Sequence, residues 1–134
     1  MEYQNLVSKA LQARKNAYVP YSKFKVGAAV LTEDGKIYTG CNIENASYGA
    51  TNCAERTAIF KAVSEGYKII KAIAIVGVEN GYTYPCGICR QVIAEFASED
   101  IKIILGKNEN EYLVKTLDEI LPGAFTKKDL ENWN

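Results

Sequence analysis

The 134-residue chain contains no histidine. That removes Ser/His and Cys/His nucleophilic pairs, the HExxH metalloprotease helix and every histidine-ligated metal. Any bound metal must rest on thiolates, carboxylates or backbone oxygens. Acid–base chemistry near neutral pH falls to a tuned carboxylate, thiol, lysine or tyrosine. Net charge is missing too, because 16 basic side chains balance 16 acidic ones. Proteins built to grip a long polyanion depend on phosphate neutralisation, so nucleic acid is not the expected partner. No apolar run reaches the roughly 18 residues of a spanning helix, so no membrane partner is expected. The opening MEYQNLVSKALQARKN lacks the apolar stretch of a secretory signal. The expected setting is cytoplasmic, where thiols stay reduced. No repeat, low-complexity tract or linker divides the chain, and its length suits a single domain over residues 1–134.

What is present supports a packed core: 48% of residues are hydrophobic and 24% charged. Leu6, Val7, Ala10, Leu11 and Ala17 fall at helical spacing, which predicts a helix to about Tyr18, ended by Pro20. Lys25–Leu31 and Lys36–Cys41 flank the turn signal Glu33-Asp34-Gly35 and read as a hairpin. Asn42–Asn52 is small and polar, a loop. A helix follows from about Cys53 to Ser64, with Gly66 past its end. Lys71–Val78 is almost continuously apolar, the pattern of a central strand covered on both faces. After a loop, a second cysteine-bearing helix spans about Cys86–Ala97, and Ile101–Leu105 is another buried strand. Tyr112–Val114 is a last strand, Thr116–Leu121 a helical turn, and Lys128–Trp133 a short terminal helix. Strands alternating with helices predict a mixed sheet with helices on both faces, an α/β fold. Both cysteine-bearing helices should then start at one end of that sheet, where such folds place sites.

Four cysteines occur: Cys41, Cys53, Cys86 and Cys89. Three sit at helix starts, where unpaired N–H groups and the helix dipole stabilise thiolate. Cys86 and Cys89, three residues apart, can face the same way from one first turn. Three thiolates meeting at a point suit zinc, which takes soft sulfur ligands tetrahedrally. Three ligands leave the fourth position to water, as in catalytic sites. Glu55, on the first turn after Cys53, can carry a proton for that water. Cys41 reads as a core or incidental cysteine. Two rivals remain open on the cysteines alone: a thioredoxin-type redox pair at Cys86 and Cys89, and a structural zinc site closed by Cys41. A zinc held by three thiolates also carries excess negative charge, which resists proton loss from bound water. Arg56, three residues after Cys53, is the candidate to draw that charge off, with Arg90 a second candidate.

Cys53-Ala54-Glu55 and Pro85-Cys86-Gly87-Ile88-Cys89 form the three-cysteine variant of the zinc nucleobase deaminase signature. Together with Pro20–Phe24, Gly40–Tyr48 and Leu121–Phe125, they make the chain resemble the small cytidine deaminases that act on free nucleosides. The resemblance implies a three-layer α/β/α fold with a mixed five-stranded sheet. It implies hydrolysis of cytidine and 2′-deoxycytidine to the uridines plus ammonia, in pyrimidine salvage. One Zn2+ per subunit would sit on Cys53, Cys86 and Cys89. Glu55 would protonate ring N3, help activate the water and hand a proton to the leaving amine. Asn42 and Glu44 would bind the ribose hydroxyls, and Phe24 would line the pyrimidine pocket. The backbone N–H of Ala54 would meet the base. Ala46 and Tyr48 would lie near the ribose and a subunit boundary. Phe125 would stack on the base from a neighbouring subunit of a homotetramer. A related substrate, such as a blasticidin-type antibiotic or a polynucleotide base, stays open, the latter disfavoured by zero net charge.

Overall fold

A computed structural model describes residues 2–131. In chain order the elements are α1 (Gln4–Arg14), β1 (Gly27–Thr32), β2 (Ile37–Cys41), α2 (Ala54–Ser64) and β3 (Ile70–Val76). They continue with α3 (Gly87–Phe96), β4 (Ala97–Asn108), β5 (Glu111–Thr116), α4 (Leu117–Ile120) and α5 (Lys127–Glu131). The strands form one sheet in the order β2-β1-β3-β4-β5. β3 and β4 run parallel, joined through α3, and the other pairings are antiparallel.

The two faces are built from residues of different size. Ala28, Val30, Ile73, Ile75, Ile103 and Leu105 point to the side covered by α2, α3 and α4, where Ile59, Ile93 and Ile120 meet them. The alternate residues Ala29, Ala72, Ala74, Val76 and Ile104 face α1 through Leu6, Val7 and Ala10. Mostly small side chains on that face let α1 lie close. Gly27 is the extreme case, since a Cβ there would stand 2.1 Å from the Ala10 carbonyl oxygen. Helices on both faces of a mixed five-stranded sheet give the α/β/α layering the pattern implies, with β3 at its centre and five of its seven residues consecutively buried.

Several boundaries differ from the sequence reading. α1 stops at Arg14, not Tyr18. The Tyr18 N–H bonds the Asn42 carbonyl and its own carbonyl accepts from Glu44 N–H, so a distant loop recruits this backbone from the helix. β4 starts at Ala97 and ends at Asn108, well beyond Ile101–Leu105, because β5 pairs along it from Lys102 to Asn108. The terminal helix α5 begins at Lys127; Trp133, at the expected end of it, lies outside the described residues.

Sheet register fixes where the cysteine helices begin. Gly27, the first residue of β1, pairs with Cys41 on one side and Val76 on the other. β2 and β3 therefore end at the same edge of the sheet, and the chains leaving them lead to α2 and α3.

Candidate metal centre and substrate site

Cys53 and Cys86 occupy the N-cap positions of α2 and α3, both with extended backbone (φ −74°, ψ 157° and φ −69°, ψ 169°). They stand where Ser, Thr, Asp or Asn would normally accept from first-turn N–H groups. The Cys86 sulfur takes that role, accepting from the Cys89 N–H at 3.5 Å. Thr57 braces Cys53 by giving both its N–H and its hydroxyl to the Cys53 carbonyl, and its hydroxyl accepts from the Asn52 amide.

The sulfurs of Cys53, Cys86 and Cys89 all lie within 4.8 Å of one another, and Cys53 and Cys86 are 3.7 Å apart. Two sulfurs on a tetrahedral zinc at about 2.3 Å each stand about 3.8 Å apart, so the donor set and its spacing fit that ion. Cys41 is not in the group; it ends β2 opposite Gly27, and burial pushes its thiol pKa up. The structural-zinc arrangement closed by Cys41 therefore does not form.

The surroundings of the Cys53 sulfur stabilise its thiolate. The Cys53 thiol is pulled down to about 5, by a hydrogen bond from Cys89 first, with Arg56 and Cys86 assisting against burial. Cys89 moves upward for the complementary reason, since it holds the shared proton in a buried position. Arg56 Nη2 donates to the Cys53 sulfur at 3.3 Å, and its buried Nε has no partner among the described residues. Arg90 does not reach the sulfurs. Its Nε and Nη1 go to the Pro85 and Ile120 carbonyls, at 2.8 and 2.5 Å, tying the start of α3 to the end of α4.

Glu55 is 4% exposed, on the first turn of α2. Burial raises its pKa to about 7, the Cys53 charge adds to the rise, and hydrogen bonds from its own N–H and Cys89, with Arg56, oppose it. A dication on the sulfurs would pull the value back down. Ala54, the first residue of α2, is fully buried.

A second group of residues borders the start of α2. Ile43 pairs antiparallel with Asn52, the residue before Cys53, which ties the loop carrying Asn42 and Glu44 to the start of α2. The Asn42 amide bridges the chain entering β1, accepting from Val26 N–H at 2.9 Å and donating to the Phe24 carbonyl at 2.7 Å. Glu44 accepts from the backbone N–H groups of Tyr21 and Ser22 at 3.0 and 3.1 Å, and from the Ser22 hydroxyl. Glu44 and Tyr48 line one open cleft of about 380 Å³ with Tyr21, Ser22 and Thr51. Phe24 lines a neighbouring cleft, beside Arg14, Lys23 and Gly77. Ala46 is exposed on the same loop. Phe125 is 56% exposed, and its carbonyl accepts from Gln91 of α3 at 2.7 Å.

The sequence profile of the cytidine and deoxycytidylate deaminase zinc-binding region matches residues 1–105. The chain belongs to this deaminase family. A cytidine deaminase of Sporosarcina psychrophila is 53% identical over 130 residues, covering 97% of this chain and 96% of that protein. The crystal structure of a cytidine deaminase from Burkholderia pseudomallei superposes with a TM-score of 0.86 at 47% identity, covering 93% of this chain and all of that one. A blasticidin-S deaminase of Bacillus cereus is more distant, at 35% over 117 residues, 79% of this chain and 80% of that protein.

Within this deaminase, the sequence reading missed Ser22 and Thr57. The signal for Thr57 was available, since it stands four residues after Cys53 at helical spacing. Ser22 reaches Glu44 across 22 positions of chain, and nothing local marks that contact.

Proposed function

We propose that the chain catalyses zinc-dependent hydrolytic deamination of cytidine and 2′-deoxycytidine, giving uridine or 2′-deoxyuridine and ammonia. The arrangement that carries this reading is three sulfurs converging at two helix N-termini with a buried carboxyl on the adjoining turn. Cys53, Cys86 and Cys89 would hold the ion. When bound there, zinc supplies a polarised water beside the ring carbon that carries the amine.

Glu55 moves the protons. Its carboxylate takes one from the attacking water and delivers it to ring N3. Once the water oxygen has bonded to the amine-bearing ring carbon, Glu55 takes that oxygen's remaining proton and passes it to the amine; the C–N bond breaks, the carbonyl forms and ammonia leaves. A carboxyl buried on the turn that follows Cys53 is placed to accept a proton as carboxylate and to donate it as acid. The Ala54 N–H, buried at the helix start, meets the base, while Asn42 and Glu44 take the ribose hydroxyls. Phe24, Ala46 and Tyr48 surround the nucleoside. Arg56 draws charge from the thiolates so that the ion remains an electrophile.

The active molecule is a homotetramer with one zinc per subunit. Tyr48, Ile88 and Phe125 are 77%, 63% and 56% exposed, large apolar surfaces that an isolated subunit leaves in water and a neighbour would cover. In it, Phe125 stacks on the base bound by an adjacent subunit. The setting is cytoplasmic pyrimidine salvage, and no described helix is long and apolar enough to cross a membrane. Cytidine ranks ahead of an antibiotic nucleoside because the relative sharing about half the residues acts, by its name, on cytidine.

The test follows ultraviolet loss of cytidine by purified protein, with zinc measured on the same sample. Turnover proportional to zinc is expected. Glu55→Gln should keep zinc and fold yet lose about 100- to 10,000-fold in turnover, the usual worth of a positioned acid–base group. A Glu55→Gln protein near the original rate would overturn the proton role, and zinc-loaded protein inert toward cytidine would overturn the substrate.

A further inference from the structure

We propose that Ser22 is a positioning residue that sets the Glu44 carboxylate for the sugar hydroxyls and couples it to the base-side residue Phe24. This rests on the reading that Glu44 binds the ribose. The Ser22 N–H and hydroxyl both donate to the Glu44 carboxylate, one to each oxygen, and Tyr21 N–H adds a third bond at 3.0 Å. The same Ser22 oxygen accepts from the Phe24 N–H at 3.0 Å. One hydroxyl therefore joins a side chain on the ribose side to the backbone of a residue on the pyrimidine side.

The loop is bent to make this possible. Lys23, between Ser22 and Phe24, has φ 62°, a left-handed conformation uncommon for a residue with a Cβ. Its N–H closes a turn onto the Val19 carbonyl at 3.1 Å. That turn aims two consecutive N–H groups, of Tyr21 and Ser22, at one carboxylate oxygen. Backbone strain of this kind persists where surrounding contacts over-determine it, and the Glu44 carboxylate is the group those contacts share.

Two backbone donors fill the lone-pair directions of Oε1, so the one direction left for a sugar hydroxyl is on Oε2, beside the Ser22 hydroxyl. The orientation of that remaining capacity is fixed by Ser22. Without its hydroxyl, the Oε2 side of the carboxylate loses its only protein donor among the described residues, and the Phe24 N–H loses its acceptor. The carboxylate can then rotate away, and the ordering must be paid at each binding event.

The test measures kcat/KM on zinc-loaded Ser22→Ala, Ser22→Thr and Glu44→Gln proteins, with cytidine and with 2′,3′-dideoxycytidine. The second substrate has no ring hydroxyl for Glu44 to hold. Ser22→Ala should lose about tenfold more with cytidine than with dideoxycytidine, in line with one hydrogen bond to a charged group, and the smaller loss common to both substrates reads the Phe24 contact. Ser22→Thr, which keeps the hydroxyl, should recover most of the loss. An equal loss on both substrates would make Ser22 merely structural and overturn the proposal. So would a selective loss in Glu44→Gln that Ser22→Ala does not share, although the ribose reading would survive. A Glu44→Gln protein with no selective loss would instead overturn the ribose reading itself, and the Ser22 proposal with it.

Discussion

Arg56 occupies an unusual position for a cation three residues into a helix. The dipole at a helix N-terminus disfavours positive charge there, and the side chain is half-buried. Both costs are offset by the thiolate it contacts, and the contact raises the Arg56 pKa further. Three thiolates on one dication leave a net negative site. A donor on one sulfur withdraws charge where it most weakens the electrophile. Arg56→Gln can still hydrogen-bond but carries no charge. Turnover should fall about tenfold, the scale of a charge-assisted bond, while zinc content per subunit changes much less. Metal analysis and kcat on one preparation decide it. Equal losses in both would mean that Arg56 holds the metal site together and has no part in tuning it.

At the scale of elements, the site depends on how closely α2 lies on the sheet. Gly40, near the end of β2, is the contact: a Cβ there would stand 2.5 Å from Ala58 N and 2.7 Å from the Ala54 carbonyl oxygen. Both are backbone atoms of α2, so no flexible side chain can give way. Gly40→Ala should push the first turn of α2 outward, taking Cys53 and Glu55 with it. The expected cost is about 1–3 kcal/mol of stability, typical of overpacking, together with weaker zinc retention against a chelator. Thermal melts with and without chelator check both, and an unchanged melt with normal retention would show that α2 can shift freely. The elements themselves were largely legible. Cysteine spacing and the helix starts at Cys53 and Cys86 are local signals, as is the apolar run of β3. What escaped depends on distant partners. Ala17 continues the apolar spacing of α1, yet the adjoining Tyr18 backbone is bonded to Asn42 and Glu44. The ends of β4 lack the apolar signal of its centre and are set by pairing with Ile70 and with β5. The turn that grips Glu44 exists only because residues 22 positions apart meet.

At the scale of the whole molecule, the proposed function makes the nucleoside site depend on more than one subunit. Phe24 and Glu44 border separate open clefts, and Phe125 is exposed, its carbonyl held by the Gln91 amide of α3. In the proposed homotetramer, the Phe125 ring of another copy would supply the remaining wall for the base. The dependence can be separated from simple folding effects by mixing two inactive proteins. Glu55→Gln subunits lack the proton carrier but offer an intact Phe125. Phe125→Ala subunits keep zinc and Glu55 but lack the stacking ring. If the ring acts across the boundary, a randomly reassembled 1:1 mixture restores an intact pairing at about a quarter of the sites, by independent assortment within a symmetric oligomer. The mixture should then regain a comparable share of wild-type activity, after dissociation and reassembly but not after simple mixing of the intact oligomers. If Phe125 serves only its own subunit, every site in every hybrid lacks either the carboxyl or the ring, and reassembly gains nothing.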